Sequence, residues 1–162
     1  MSEVQIRAAK LADAAEISTL VRQSAQKFIV ADFTPEGAKT LLDSMSAEAL
    51  EERIRSGYRY HVAQLDGQLV GVVGVRGDFH LYALFVAEPF HRRGIGRRLW
   101  NHALAECLAR GHRGPFTVNS SRMAVPVYGQ FGFQVTGEEI DIGGVLSIPM
   151  QLILEPTGEP NG

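Results

Sequence analysis

The chain has 162 residues, 45% hydrophobic and 21% charged, with a formal net charge of -2. That length suits one domain, burying about 68 to 70% of the surface exposed by the unfolded chain, and the composition excludes disordered and fibrous classes. The single cysteine, Cys107, cannot form an internal disulfide, and no apolar run approaches the roughly 18 residues of a membrane-spanning helix. The opening "MSEVQIRAAK" lacks the basic and apolar regions of a signal peptide, so a reducing, cytoplasmic setting is expected.

Taken in order, "VQIRAA" reads as a short strand, and Asp13 is placed to cap a helix whose apolar members Ala14, Ile17, Leu20, Val21 and Ala25 follow helical spacing. Beyond "FIVADF", Pro35 stands where a first helical turn would begin. "EGAKTLLDSM" and "SAEALEERIRSG" then predict two short helices, the second stopped by Gly57. From Arg59 the period changes to two. "RYHVAQL", a turn at Asp66-Gly67 and "QLVGVVGVR" predict a hairpin, and "DFHLYALFV" a third strand beside it.

A loop holding Pro89 leads to "FHRRGIGRRLW" and a helix with a broad apolar stripe, Leu99, Trp100, Ala103, Leu104, Cys107 and Leu108, ending at Gly111. "PFTVN" predicts a strand, and "SSRMAVPVYGQF" a short helix capped by Ser120 or Ser121. "GFQVTGEEIDI" and "GVLSIPMQLIL" predict a closing antiparallel pair, and "EPTGEPNG" a frayed tail. This order points to a mixed α/β sheet in one domain over residues 1–155, with 156–162 as a flexible tail.

Charge is unevenly distributed. Residues 81–130 carry seven arginines against Glu88 and Glu106, a net of 7 - 2 = +5. A near-neutral total therefore conceals one cationic stretch suited to an anion. Gly94 and Gly96 lie inside it, between a strand and a helix start, where unpaired N–H groups and the helix dipole favour negative charge. Bare backbone admits close approach. Arg92, Arg93, Arg97 and Arg98 supply positive potential, although four arginines so spaced cannot all face one ligand.

"LFVAEPFHRRGIGRRL" resembles the acyl-CoA signature of the GCN5-related N-acetyltransferases (GNATs), Q/R-x-x-G-x-G/A after a strand. "TVNSSRMAVPVYGQFGF" is similar to that family's later segment, with Asn at a strand end and Tyr before "GF". His91 departs from the usual Gln or Arg, and Pro89 stands one residue later than usual. The resemblance implies a mixed sheet of about seven strands flanked by about four helices and splayed between strands 4 and 5. It also implies acetyl-CoA in that opening. The pyrophosphate would lie against the segment His91, Arg92, Arg93, Gly94, Ile95, Gly96, Arg97 and Arg98. Main-chain groups of Leu84, Phe85 and Val86 would pair with the pantetheine arm, and Asn119 would contact the cofactor.

The same resemblance places Tyr128 as proton donor to the leaving thiolate and His80 near the position of a base, with Asp78 and Glu36 as rivals. Each has a plainer account: Tyr128 as core packing, His80 as a hydrogen-bonded strand histidine. Phe28, Phe33 and Met45 would line the acceptor pocket or belong to the core. Asp32, Glu36, Glu138, Glu139 and Asp141 would suit a cationic amine or serve as solvated loop charges. His61, His91, His102 and His112 show no ligand spacing, so no metal is expected, and Cys107 reads as a buried hydrophobe.

The implied activity is transfer of acetyl from acetyl-CoA to a primary amine. A non-catalytic CoA-binding module is the competing class. No nucleic-acid partner is expected, since the basic residues gather at one turn without a reading helix. No membrane partner is expected either, and a homodimer is left open by the sequence.

Overall fold

The computed structural model describes residues 3–154; the expected tail lies outside them. Eight strands and five helices follow one another: β1 (Gln5–Ala8), α1 (Ala14–Phe28), α2 (Pro35–Asp43), α3 (Ala47–Arg55), β2 (Arg59–Leu65), β3 (Gln68–Arg76), β4 (His80–Val86), α4 (Ile95–Ala109), β5 (Phe116–Ser120), α5 (Val125–Gln130), β6 (Gln134–Val135), β7 (Ile140–Ile142) and β8 (Val145–Leu152). The sheet runs β1-β2-β3-β4-β5-β8-β6, with β7 also paired to β8. The mixed α/β architecture is the one expected. It has one strand more than the approximate count, because "GFQVTGEEIDI" breaks into β6 and β7, both antiparallel to β8; its five helices are those read along the chain, one more than the resemblance implies.

Both faces of the sheet are covered, which is why β3 is buried at every position from Leu69 to Val75. One cluster joins Val70, Val73 and Val75 to Ile95, Leu99, Trp100, Ala103 and Cys107 of α4, and includes Tyr128 and Phe133. The other joins Tyr60, Val62, Leu69 and Val72 to Ala14, Ile17, Leu20 and Val21 of α1 and Leu50 of α3. Period-two alternation on β2, and on β3 to either side of a bulge at Val70, thus feeds two separate helical layers.

Local signals hold well. The β2–β3 turn has positive φ at Asp66 (53°) and Gly67 (80°), the geometry an Asp-Gly hairpin needs. Pro35 opens α2, where the Thr34 side chain accepts the Gly37 N–H at 3.0 Å. Asp13 differs from expectation. It precedes α1 but makes no side-chain cap to it; its carboxylate instead accepts the Lys10 N–H at 2.7 Å and a two-pronged pair from Arg7 at 2.9 and 3.0 Å. A charge-assisted bidentate pair outweighs a single neutral N–H as a partner. Among the described residues no helix is long and apolar enough to cross a membrane.

The Arg7 hydrogen bond holds the Asp13 carboxyl below its ordinary range, against the opposing effect of burial. A group depressed in the folded state contributes stability that is fully present above its unfolded value, about 3.9, and is lost as pH falls through the lower folded value. Asp13→Asn should therefore lower the melting temperature at pH 7, with the deficit shrinking as the pH is brought below about 3.9. A deficit that stays constant across an acid titration of melting temperature would contradict this account.

Candidate active site

The pair β4–β5 is parallel, and every other strand pair among the described residues is antiparallel. It is also short: His80 pairs with Thr117 and Leu81 with Val118, and pairing then stops. The β5-facing edge of β4 from Tyr82 to Val86 has no strand partner. β4 carries an extra residue at this point, since Val75 and Gly74 of β3 oppose Leu81 and Ala83, which leaves Tyr82 bulged. A bulge bends its strand and increases the twist, turning β4 away from β5. Leu84, Phe85 and Val86 lie on the exposed edge.

The open end of this split meets the start of α4. Gly94 occupies the cap position with φ 76°, a left-handed conformation that glycine adopts without cost. The first intrahelical bond at this end runs from the Arg98 N–H to the Gly94 carbonyl at 3.1 Å. The N–H groups of Ile95, Gly96 and Arg97 precede it and have no helical acceptor. A Cβ at Gly96 would meet only Val86 Cγ2, at 3.8 Å. Neither packing nor backbone geometry therefore demands glycine there.

The four arginines diverge. Arg98 donates to the Val4 carbonyl at 3.2 Å and Arg97 to the Gln130 carbonyl at 3.1 Å. Arg97 also lies over the Phe131 ring, 5.1 Å from its centroid, and Arg93 over Phe90 at 5.3 Å. Arg92 holds a positive φ of 66° in the loop. His91 donates from Nε2 to the Val86 carbonyl at 2.7 Å and packs on Phe28, so the end of β4 is clasped by the loop that follows it.

The Arg97 contacts dock α5 against the first turn of α4. Tyr128 on α5 is buried beside Phe131 and Phe133. Its hydroxyl makes no hydrogen bond among the described residues, and burial raises the phenol above its ordinary value. It stays protonated throughout the physiological range. His80 is buried at the closed end of the split, its Nδ1 hydrogen-bonded to Thr117 Oγ1 at 2.7 Å. Burial, helped by the charge of Arg76, pushes its imidazole down to about 4. Asn119 is exposed on β5, just past the last residue paired to β4.

A hollow beside the split is lined by Phe28, Ile29, Asp32, Phe33, Ser121, Arg122, Met123 and Leu146. Arg122 spans it, making two 2.7 Å bonds to Glu139 and a 3.3 Å pair with Asp32. Two of the acids expected to await an amine are thus engaged by an arginine, and Asp141 accepts the Gly144 N–H at 2.9 Å. Asp78 is paired with Arg59. Met45 packs instead with the α1–α3 layer, where its carbonyl accepts from Ser18. Arg122 escaped sequence reading because its partners come from distant loops; Thr117 carried no signal beyond its place in a strand.

A family model described as Acetyltransferase (GNAT) domain matches residues 29–154. The chain belongs to the GNAT acetyltransferase family. Among solved structures it is similar to a GCN5-related N-acetyltransferase from Rhodopseudomonas palustris (TM-score 0.78, 22% identity, covering 95% of this chain and 98% of that one). It is also similar to the PaiA N-acetyltransferase of Thermoplasma acidophilum in complex with coenzyme A (TM-score 0.76, 18% identity, covering 94% and 99%). A ribosomal-protein-alanine N-acetyltransferase from Brucella melitensis matches with TM-score 0.68 at 22% identity, covering 93% and 99%. At these identities the likeness is one of fold. No curated protein matches the sequence at a significant level.

The room around Gly96 yields a test that separates fold from ligand. Gly96→Val should leave the melting temperature unchanged or slightly raised, since a helical glycine costs up to about 1 kcal/mol relative to alanine. Affinity for coenzyme A by calorimetry should fall by at least about tenfold, as the new side chain occupies the approach to the exposed N–H groups. Unchanged affinity in the folded variant would remove the helix start from the binding site.

Proposed function

We propose that this protein is an N-acetyltransferase, acting as one domain over residues 1–155, that moves acetyl from acetyl-CoA directly to a primary amine. The observation that carries this is the unpaired edge of β4, which opens at one end onto the bare N–H groups of α4, the helix whose Arg97 holds α5 and with it Tyr128. The pantetheine arm would add to the β4 edge as a strand does, at Leu84, Phe85 and Val86. The diphosphate would rest on the segment Arg93 to Arg98, against the N–H groups of Ile95, Gly96 and Arg97 that have no helical acceptor, with Arg92 and Arg93 near it and Arg97 and Arg98 supporting through their contacts with the fold. Asn119 would face the same arm from β5.

In the reaction the amine lone pair attacks the thioester carbonyl carbon, and a β4 N–H stabilises the oxyanion. Collapse forms the C–N bond and breaks the C–S bond. The leaving thiolate takes the Tyr128 proton, and the nitrogen gives up its own. A phenol held above its ordinary value is a donor that never ionises ahead of need. Packing would be served by phenylalanine. A phenol hydroxyl that packing does not need and that no described residue engages therefore favours the enzyme over a non-catalytic acyl-CoA-binding module.

Tyr128→Phe keeps the ring and should reduce single-turnover acetyl transfer by about 10²- to 10⁴-fold with little change in acetyl-CoA affinity. A single-turnover rate within a few-fold of wild type would assign the proton to water.

His80 is the proposed acceptor of the proton that the attacking nitrogen loses, and its environment limits what it can take. An alkylammonium near 10.4 stands about six units above an imidazole at about 4. The amine must therefore arrive neutral, and His80 can relieve only the far more acidic nitrogen of the tetrahedral intermediate. His80 also stays unprotonated through the neutral range. The plot of log kcat/KM against pH should rise with the acceptor amine's own ionisation and show no limb near 6.5, while His80→Gln should lower the rate without moving that rise. A limb near 6.5 that disappears in His80→Gln would instead make His80 a base for the incoming amine.

A further inference from the structure

Alternation along β2 sends Tyr60 and Val62 to the α1 layer and Ala63 to the α4 layer, and His61 follows Ala63. On α4, His102 and Glu106 stand one turn apart, which stacks them on one face. The two elements cross so that the His61 and His102 rings lie 4.5 Å apart between centroids. His61 Nε2 is 3.3 Å from Glu106 Oε2, and His102 Nε2 is 4.0 Å from the same oxygen. One ligand atom from each residue falls within 4.8 Å of the others.

We infer that His61, His102 and Glu106 form a binding site for a divalent transition metal of the Zn²⁺ class, on the α4 face of β2 and apart from the β4–β5 split.

The donor set suits such an ion: two imidazoles and a carboxylate are ligands zinc accepts, with a fourth position for water. Tetrahedral bonds of about 2.0 to 2.2 Å place donors about 3.3 to 3.5 Å apart. The His61–Glu106 pair already has that separation. The His102 side chain is 39% exposed, so it can rotate to close the remaining gap. A small hollow lined by Arg59, His61, Val75, Ala103, Glu106 and Cys107 adjoins the cluster.

Two electrostatic conditions are met. Arg59 borders the hollow, but its charge is countered by the paired Asp78. Burial drives the His61 imidazole toward its neutral form, although Glu106 pulls the other way; the neutral ring is the one that ligates. Linear spacing could not reveal the site, because His61 joins the other two only through the packing of β2 on α4. A bound ion would tie that strand to the helix whose first turn faces the split.

The test uses full-length protein freed of metal by a chelator and of any purification tag. Zn²⁺ is titrated by calorimetry and Co²⁺ by visible absorption. Expected are one ion per chain, the strong ligand-field bands of low-coordinate Co²⁺, and a melting temperature raised by Zn²⁺. His61 is buried in the core and is left in place, so the decisive variants are the half-exposed His102→Ala and Glu106→Gln. Each should stay folded and lose affinity by at least about tenfold, since loss of a ligand exceeds the 10- to 100-fold cost of losing a supporting residue. A wild-type chain that takes up neither ion, or a His102→Ala variant that binds with wild-type affinity, overturns the assignment.

Discussion

The structure turns on a parallel pairing that is allowed only two steps. β4 and β5 are joined at His80–Thr117 and Leu81–Val118 and then separate. Parallel neighbours need a crossover, and α4 supplies it, so its first turn must begin just beyond the end of β4. The split and the helix start are therefore one feature. Ligands of open α/β sheets sit beyond the carboxyl ends of the strands for this reason. The Tyr82 bulge adds the bend that keeps the opening from closing into a continuous ladder.

Burial then sorts charge along the split. Burial raises the Tyr128 phenol on α5 and lowers the His80 imidazole at the closed end. The shifts are opposite in sign, yet both favour the neutral species, because each penalises whichever form is charged. In the proposed reaction an arriving amine would meet no fixed charge from either group. Charge is kept at the margins: arginines around the α4 turn, and the Asp32–Arg122–Glu139 bridge across the neighbouring hollow. That bridge also alters what the acids there can do. Any cation approaching them competes with a guanidinium that already satisfies Glu139 twice.

What the sequence made legible was local. The Asp66-Gly67 hairpin, Pro35 at a helix start and the stripe on α4 each depend on residues within one or two turns, and each is found where expected. The glycine turn was legible for the same reason, and the family motifs extended that reading to β4, β5 and α5. What escaped was decided by distant partners. Arg7 draws Asp13 away from capping α1, Arg97 and Arg98 leave the turn for Gln130 and Val4, and Glu106 meets His61 from another element. A charged side chain reports its presence in a sequence but not the neighbour that will satisfy it. The bulge was hidden too, because register is fixed jointly by two strands.

The two glycines of the α4 turn show where physical reading of a motif has to stop and structure take over. In sequence they are equivalent, two bare positions flanking Ile95. In the fold they differ in kind. Gly94 has a left-handed backbone, so its reason is internal: the chain must reverse there to start the helix. Gly96 is helical, and the space around it would accept a Cβ. A residue that lowers helix propensity and fills no tight place inside the protein gives the fold nothing. Under the proposed reading its value lies outside the polypeptide, with the diphosphate that would approach the N–H groups of the first turn. Of the two, Gly94 is thus the position the fold itself requires, and Gly96 the one whose reason the proposed binding of a diphosphate would supply.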